Sequence, residues 1–318
     1  MSKTVKLRAF KINNLSLTVS HSDLDKRLLE KLNGSEKSQE RCMLLSPEDE
    51  AKEQDLISYY ISYGEKQSLF CTLLRMAPGD NVQHITNTLL QEPKFSIENI
   101  ENEQLDTEAI YQYHYDFSIK GNFLVTNLRG NITIKRLETY LSWYLKDESL
   151  SLIPMVETPE GTKLSDIATA TFGEAKYTQP DNNQAPPVLR SKLLGLAKEK
   201  IAELLKDNES LSEMDLDEVI SAELLIKFKK PRKMTQEEYE QKLGSLLKPV
   251  ADAENVTLKT KDNKKFVSGR DILLSKTVQL ETTESGHVVE QQLVQSMAKF
   301  LDELIEKDKA KLKNENFT

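Results

Sequence analysis

The chain has 318 residues, 38% of them hydrophobic and 30% charged, a balance that supports one or two real cores and excludes a disordered composition. Its formal net charge of −8 excludes a protein that coats a polyanion with its whole surface and leaves room only for a local basic patch. No run approaches the roughly 18 consecutive apolar residues of a membrane span, and the basic start MSKTVKLRAF lacks the apolar stretch of a signal peptide, so a cytoplasmic location is expected.

In chain order, Val5 to Ile12 reads as a strand, and Ser22 to Leu32 as an amphipathic helix with Leu24, Leu28, Leu29 and Leu32 on one side. Ser22 is its expected N-cap and Gly34 its stop. Two strands follow, Arg41 to Leu45 and Ser68 to Met76, separated by the acidic, Tyr-bearing stretch Glu48 to Tyr63. Cys42 and Cys71 lie in apolar surroundings, as buried free thiols do in a reducing compartment. From Pro78-Gly79 to about Ala109 the acid- and amide-rich sequence predicts irregular or short helical structure on the surface. Tyr111 to Ile119 and Phe123 to Leu128 then form a hairpin about Gly121-Asn122.

Ile134 to Lys146 carries apolar residues at helical spacing, and Leu150 to Val156 and Ile167 to Tyr177 read as strands. Residues 179–187, rich in proline and amides, are the expected linker between an N-terminal domain, 1–178, and a C-terminal domain, 188–318. Beyond it come a basic amphipathic helix (Val188 to Leu205), a strand (Val219 to Lys229), a helix (about Thr235 to Leu247) and a hairpin (Val256 to Val267). A long terminal helix, Val288 to Lys307, repeats Val289, Leu293, Met297, Phe300, Leu301 and Leu304 at three- and four-residue spacing, suited to docking on a sheet or on a second subunit. The expected fold class is α+β, with mixed, largely antiparallel sheets packed with helices, two subdomains and the long C-terminal helix.

The raw materials of catalysis are thin. His21, His84, His114 and His287 stand far apart, and no zinc-ligand spacing, Walker loop, GxGxxG or GxSxG occurs. No catalytic residue, metal ligand, cofactor or small-molecule substrate is therefore assigned. The acid pairs Asp23/Asp25 and Asp215/Asp217 read as solvated charge. His114 reads as a packing histidine, and Tyr111, Tyr113, Tyr115 and Phe117 share one parity, as either a core face or a base-stacking surface would.

Charge is segregated along the chain. Between Ser221 and Lys276 thirteen Lys or Arg stand against eight Asp or Glu, a net of +5, which leaves −13 for the rest. Two stretches carry it: IKFKKPRK, with Lys227, Lys229, Lys230, Arg232 and Lys233, and VTLKTKDNKKF, with Lys259, Lys261, Lys264 and Lys265. On each strand apolar residues take one face and lysines the other, and a turn at Asp262-Asn263 would return Lys264 and Lys265 beside Lys259 and Lys261. Such a cluster suits the phosphate backbone of nucleic acid; a solvated edge that resists aggregation would carry the same residues.

The segment VTLKTKD, preceded by IKFKKPRK and followed by LLSKTVQL and a terminal helix, resembles the C-terminal part of the RexA-like phage-exclusion family. The order of SLFCTLLR, NFLVTNLRG and FGEAKY is similar as well, so the likeness spans nearly the whole chain. The resemblance implies a homodimeric, sequence-nonspecific double-stranded DNA-binding protein of antiphage defence, acting with a small integral-membrane channel partner in abortive infection. It further implies that Lys259 and Lys261, on the hairpin strand, touch DNA. Where the family has Arg, this chain has Lys259, which keeps the charge but not the bidentate fork, and the chain is longer and more acidic. Two other readings remain: an interaction module that dimerises through the terminal helix, and a nuclease with dispersed carboxylates.

Overall fold

Period-two alternation at the start of the chain produces a long strand, β1 (Ser2–Asn14), in which Leu7 and Ala9 take one face and Phe10 and Ile12 the other. All four are buried, so the sheet that β1 joins is covered on both sides. The computed structural model describes residues 2–14, 24–45, 53–64, 68–77, 84–102, 109–128, 134–157, 167–172, 224–227, 235, 238–241, 256–260, 266–268, 272–283 and 286–315.

After β1 come α1 (Leu24–Asn33), β2 (Met43–Leu44), β3 (Gln54–Tyr63), β4 (Ser68–Ala77), β5 (His84–Ile85), α2 (Asn87–Gln91) and α3 (Ile97–Asn102). They are followed by β6 (Ala109–Lys120), β7 (Phe123–Thr126), α4 (Ile134–Leu145) and β8 (Leu150–Pro154). The remaining elements are β9 (Ile167–Phe172), β10 (Leu224–Lys227), β11 (Val256–Thr260), β12 (Phe266–Ser268), β13 (Ser275–Glu281) and α5 (Glu290–Glu315). The fold is α+β, with antiparallel sheets, packed helices and a long C-terminal helix. Among the described residues no helix is long and apolar enough to cross a membrane.

The chain forms two compact units, Met1–Ile153 with Ser275–Thr318, and Pro154–Leu274. This differs from the expected division into 1–178 and 188–318. The terminal segment returns to the first unit because β13 finds its ladder partner in β1, pairing Ser275 to Glu281 with Arg8 to Ser2. The expected linker 179–187 and the helix Val188 to Leu205 lie outside the described residues.

In the first unit the strand order is β13-β1-β7-β6-β4-β3-β2, with β5 beside β6 and β8 beside β1. On one face α1 and α4 bury Leu24, Leu28, Leu32, Leu137, Tyr140 and Leu141 with Cys71, Leu73, Tyr115, Phe117 and Leu124 of the sheet. Gly121, at a positive φ of 54°, closes the β6–β7 hairpin, a conformation that costs a residue without Cβ little. On the opposite face α5 crosses β6, β7 and β13, and its Leu293, Met297, Leu301 and Leu304 are buried. Ion pairs border that seat, joining Lys120 to Asp302, Lys276 to Glu303 (2.5 Å) and Lys11 to Asp308 (3.9 Å). The apolar stripe of the terminal helix is therefore used on its own sheet.

Two further expectations change. The stretch Glu48 to Tyr63 is not a spacer, since most of it is β3, with Leu56 and Ile57 fully buried. A register shift between Ile57 and Tyr59 breaks the period-two pattern there and hides the strand from a reading by alternation. The region from 80 to 109, expected at the surface, supplies Ile85, Leu89, Leu90, Phe95 and Ile100 to a second apolar cluster with Leu56, Leu74 and Met76.

The second unit holds a four-stranded sheet in the order β10-β9-β11-β12. Thr235 and Glu238 exchange hydrogen bonds, Thr235 N to Glu238 Oε2 (3.0 Å) and Glu238 N to Thr235 Oγ1 (3.2 Å). That capping box starts a helical turn at 238–241, where the sequence predicts a helix.

Candidate nucleic-acid interface

The four strands of the second sheet come from distant parts of the chain, and their register decides which residues share a row. Lys227 of β10 and Lys259 of β11 both pair with Thr169 of β9, and Lys259 pairs in turn with Phe266 of β12. Lys227, Thr169, Lys259 and Phe266 thus form one row, and directly paired residues belong to one face of a sheet. The row of the same parity one step further along holds Leu225, Thr171, Thr257 and Ser268. Up to the register shift between Lys259 and Thr260, beyond which Thr260 pairs with Ile167, residues of the other parity are Leu224, Ile226, Ala170, Phe172, Val256, Leu258 and Val267, every one of them apolar.

Over these rows register parity thus separates an apolar set of residues from a set made mainly of hydroxyl and ammonium residues. Lys227 and Lys259 stand two strand spacings apart, about 9.5 Å between backbones. β10 and β11 each run antiparallel to β9, so they run parallel to each other and end at the same end of the sheet. β10 ends there at Lys227 and β11 at Thr260. Of the predicted contact residues, the register brings together Lys227 and Lys259; Lys229, Lys230, Arg232, Lys233, Lys261, Lys264 and Lys265 lie outside the described residues.

Two features escaped the sequence reading. One is the interposition of β9, which places Thr169 between the two lysines; the other is Phe266 beside Lys259 in the same row. Lys276, counted with the basic segment, belongs to the first unit, where it pairs with Glu303 and lies 5.8 Å from the centre of the Phe300 ring. The second unit as a whole carries nineteen Lys or Arg and twenty-one Asp or Glu, so any positive potential there is a property of one face and not of the unit.

Elsewhere the candidate chemistry resolves into packing. Tyr115 and Phe117 are core residues, and the guanidiniums of Arg75 and Arg136 lie 5.5 and 4.7 Å from the centre of the Tyr113 ring. Both arginines bind the fully buried Asp55, Arg75 through Nε at 3.0 Å and Arg136 through Nε at 2.6 Å. His114 packs its ring on His287, with centroids 5.8 Å apart. Burial pushes the Cys42 thiol up to about 12 against the opposing pull of Arg41, and raises the fully buried Cys71 as well. Neither is activated as a nucleophile. Among the described residues no His, Cys, Asp and Glu side chains gather in a group that would hold a metal ion.

No protein-family model matches the chain, and no curated protein matches its sequence.

Proposed function

We propose that this protein binds double-stranded DNA without regard to sequence, through the hydroxyl-and-lysine face of the β10-β9-β11-β12 sheet. The observation that carries the reading is the single row in which Lys227 and Lys259 flank Thr169. Ammonium and hydroxyl groups serve phosphate oxygens well, contacts that carry no sequence information, and no Arg, Asn or Gln stands in the described rows of that face. Lys261, Lys264, Lys265, Lys229, Lys230, Arg232 and Lys233 extend the contact in this proposal. An overall charge of −8 confines DNA to that face.

The resemblance to the RexA-like family carries the proposal further, to a homodimer of antiphage defence that acts with a small membrane-channel partner. The competing reading, a dimerisation module built on the terminal helix, is weakened because the apolar stripe of α5 is already buried within its own unit. A gel shift with random-sequence duplex at about 50 mM salt tests the proposal, with a complex expected at micromolar protein. Absence of a complex, or unchanged binding by a Lys227→Ala/Lys259→Ala variant, refutes it.

A further inference from the structure

The chain's one tryptophan, Trp143, stands on α4 in the first unit and is 44% exposed, although the apolar stripe of that helix is buried. Two rings anchored in the core hold it. The fully buried Tyr140 lies with its centroid 5.7 Å away at an angle of 50°, and the buried Tyr144 at 6.1 Å and 35°. A large aromatic surface is thus fixed at the boundary of the unit. Leu44 of β2, a strand that α4 contacts, is exposed to a similar degree.

Cations flank that ring along the helix. Lys135, Thr139 and Trp143 follow at intervals of four residues and so share one side of α4, and Lys135 and Thr139 are both exposed. Lys135 precedes the tryptophan by about 12 Å along the axis. Lys146, also exposed, closes the helix: its N–H donates to Trp143 O at 3.2 Å, and its φ of 53° lies in the left-handed region, where glycine is the commoner residue. Lys31 of α1 adds a third ammonium group, 5.0 Å from the centre of the Tyr144 ring. Two of the neighbouring acids are engaged elsewhere. Glu138 accepts from Leu152 N at 2.7 Å, and the buried Asp147 binds Arg27 at 3.1 Å, while Glu148 is exposed.

A fixed aromatic ring with cations on both sides of it matches a nucleic-acid strand whose bases are unpaired. A base stacks on the ring, and its flanking phosphates meet the ammonium groups. In a duplex the faces of the bases are already covered by their neighbours. We propose that the α4 surface around Trp143 binds single-stranded nucleic acid, with Trp143 stacking on one base and Lys135, Lys146 and Lys31 meeting phosphates. It shares no residue with the β10-β9-β11-β12 sheet and does not depend on that sheet binding duplex.

Because the chain has no other tryptophan, tryptophan emission of the full-length protein reads this site alone. Titration with oligo(dT) at about 50 mM salt should quench it. An abasic oligonucleotide of equal length and polyglutamate, which offer the charge without the bases, should not. Anisotropy of a labelled oligo(dT) should show an affinity loss of at least about fivefold for Trp143→Ala, and a smaller one for Trp143→Phe, which keeps a ring. Emission unchanged by excess oligo(dT), or equal quenching by the abasic strand or by polyglutamate, overturns the proposal. Should Trp143→Ala fail to fold, the emission of the parent decides by itself. Random-sequence duplex should bind the parent and Trp143→Ala alike, and absence of duplex binding by the parent counts against the basic sheet alone.

Discussion

Replacing Lys227 and Lys259 together by alanine removes the two ammonium groups that the register sets in one row, and nothing from the apolar face. If each neutralises one phosphate, the double variant loses about 1.8 from the slope of log affinity against log salt, at roughly 0.9 per phosphate. The gap between parent and variant should then shrink by about twelvefold when salt rises fourfold, from about 50 to about 200 mM, because the parent loses more ion-release free energy. Fluorescence anisotropy of a labelled duplex at four salt concentrations measures both slopes. Folding is checked by the melting temperature, and a cost within about 0.5 kcal/mol is expected for changes at the polar face of a sheet. Two duplexes of unrelated sequence should bind alike. Parallel salt plots for parent and variant would show that these lysines do not touch phosphate and would refute the reasoning.

Three other outcomes test the fold beneath the site. Asp55→Ala strands Arg75 and Arg136 without their shared carboxylate, leaving Glu53 on Arg75 at 2.9 Å, and should cost about 3–5 kcal/mol in denaturant unfolding. A loss below about 1 kcal/mol would mean that the charge row is not formed. Leu301→Ala should cost about 2–5 kcal/mol, independent of protein concentration, because Leu301 packs within its own unit; a concentration-dependent loss would place it instead between copies. A thiol reagent at pH 8 should leave the buried Cys71 unmodified until the chain unfolds and label the partly exposed Cys42 only slowly, since desolvation raises both thiols. Fast labelling of either cysteine in the native protein contradicts that placement.

Much of the architecture was readable in residue order. Leu24, Leu28 and Leu32 announced α1, Gly121-Asn122 the β6–β7 hairpin, and the spaced apolar residues of α5 its buried stripe. The failures have a common cause. β3 was lost because the irregularity at Ser58 breaks its alternation, and Leu89, Leu90, Phe95 and Ile100 looked superficial because a short helix between polar residues gives no periodic signal. The return of β13 and α5 to the first unit had no local mark, since a ladder is made by backbone groups that every residue carries.

The basic face divides along the same line. Alternation within β10 and β11 is enough to assign Lys227 and Lys259 to the side away from Ile226 and Leu258, whatever the rest of the chain does. It is silent on neighbours. That β9 lies between the two strands, and that Thr169 aligns with both lysines, follows from pairing over long stretches of chain. A shift of one residue in that register would have put a lysine among the apolar residues of the other face.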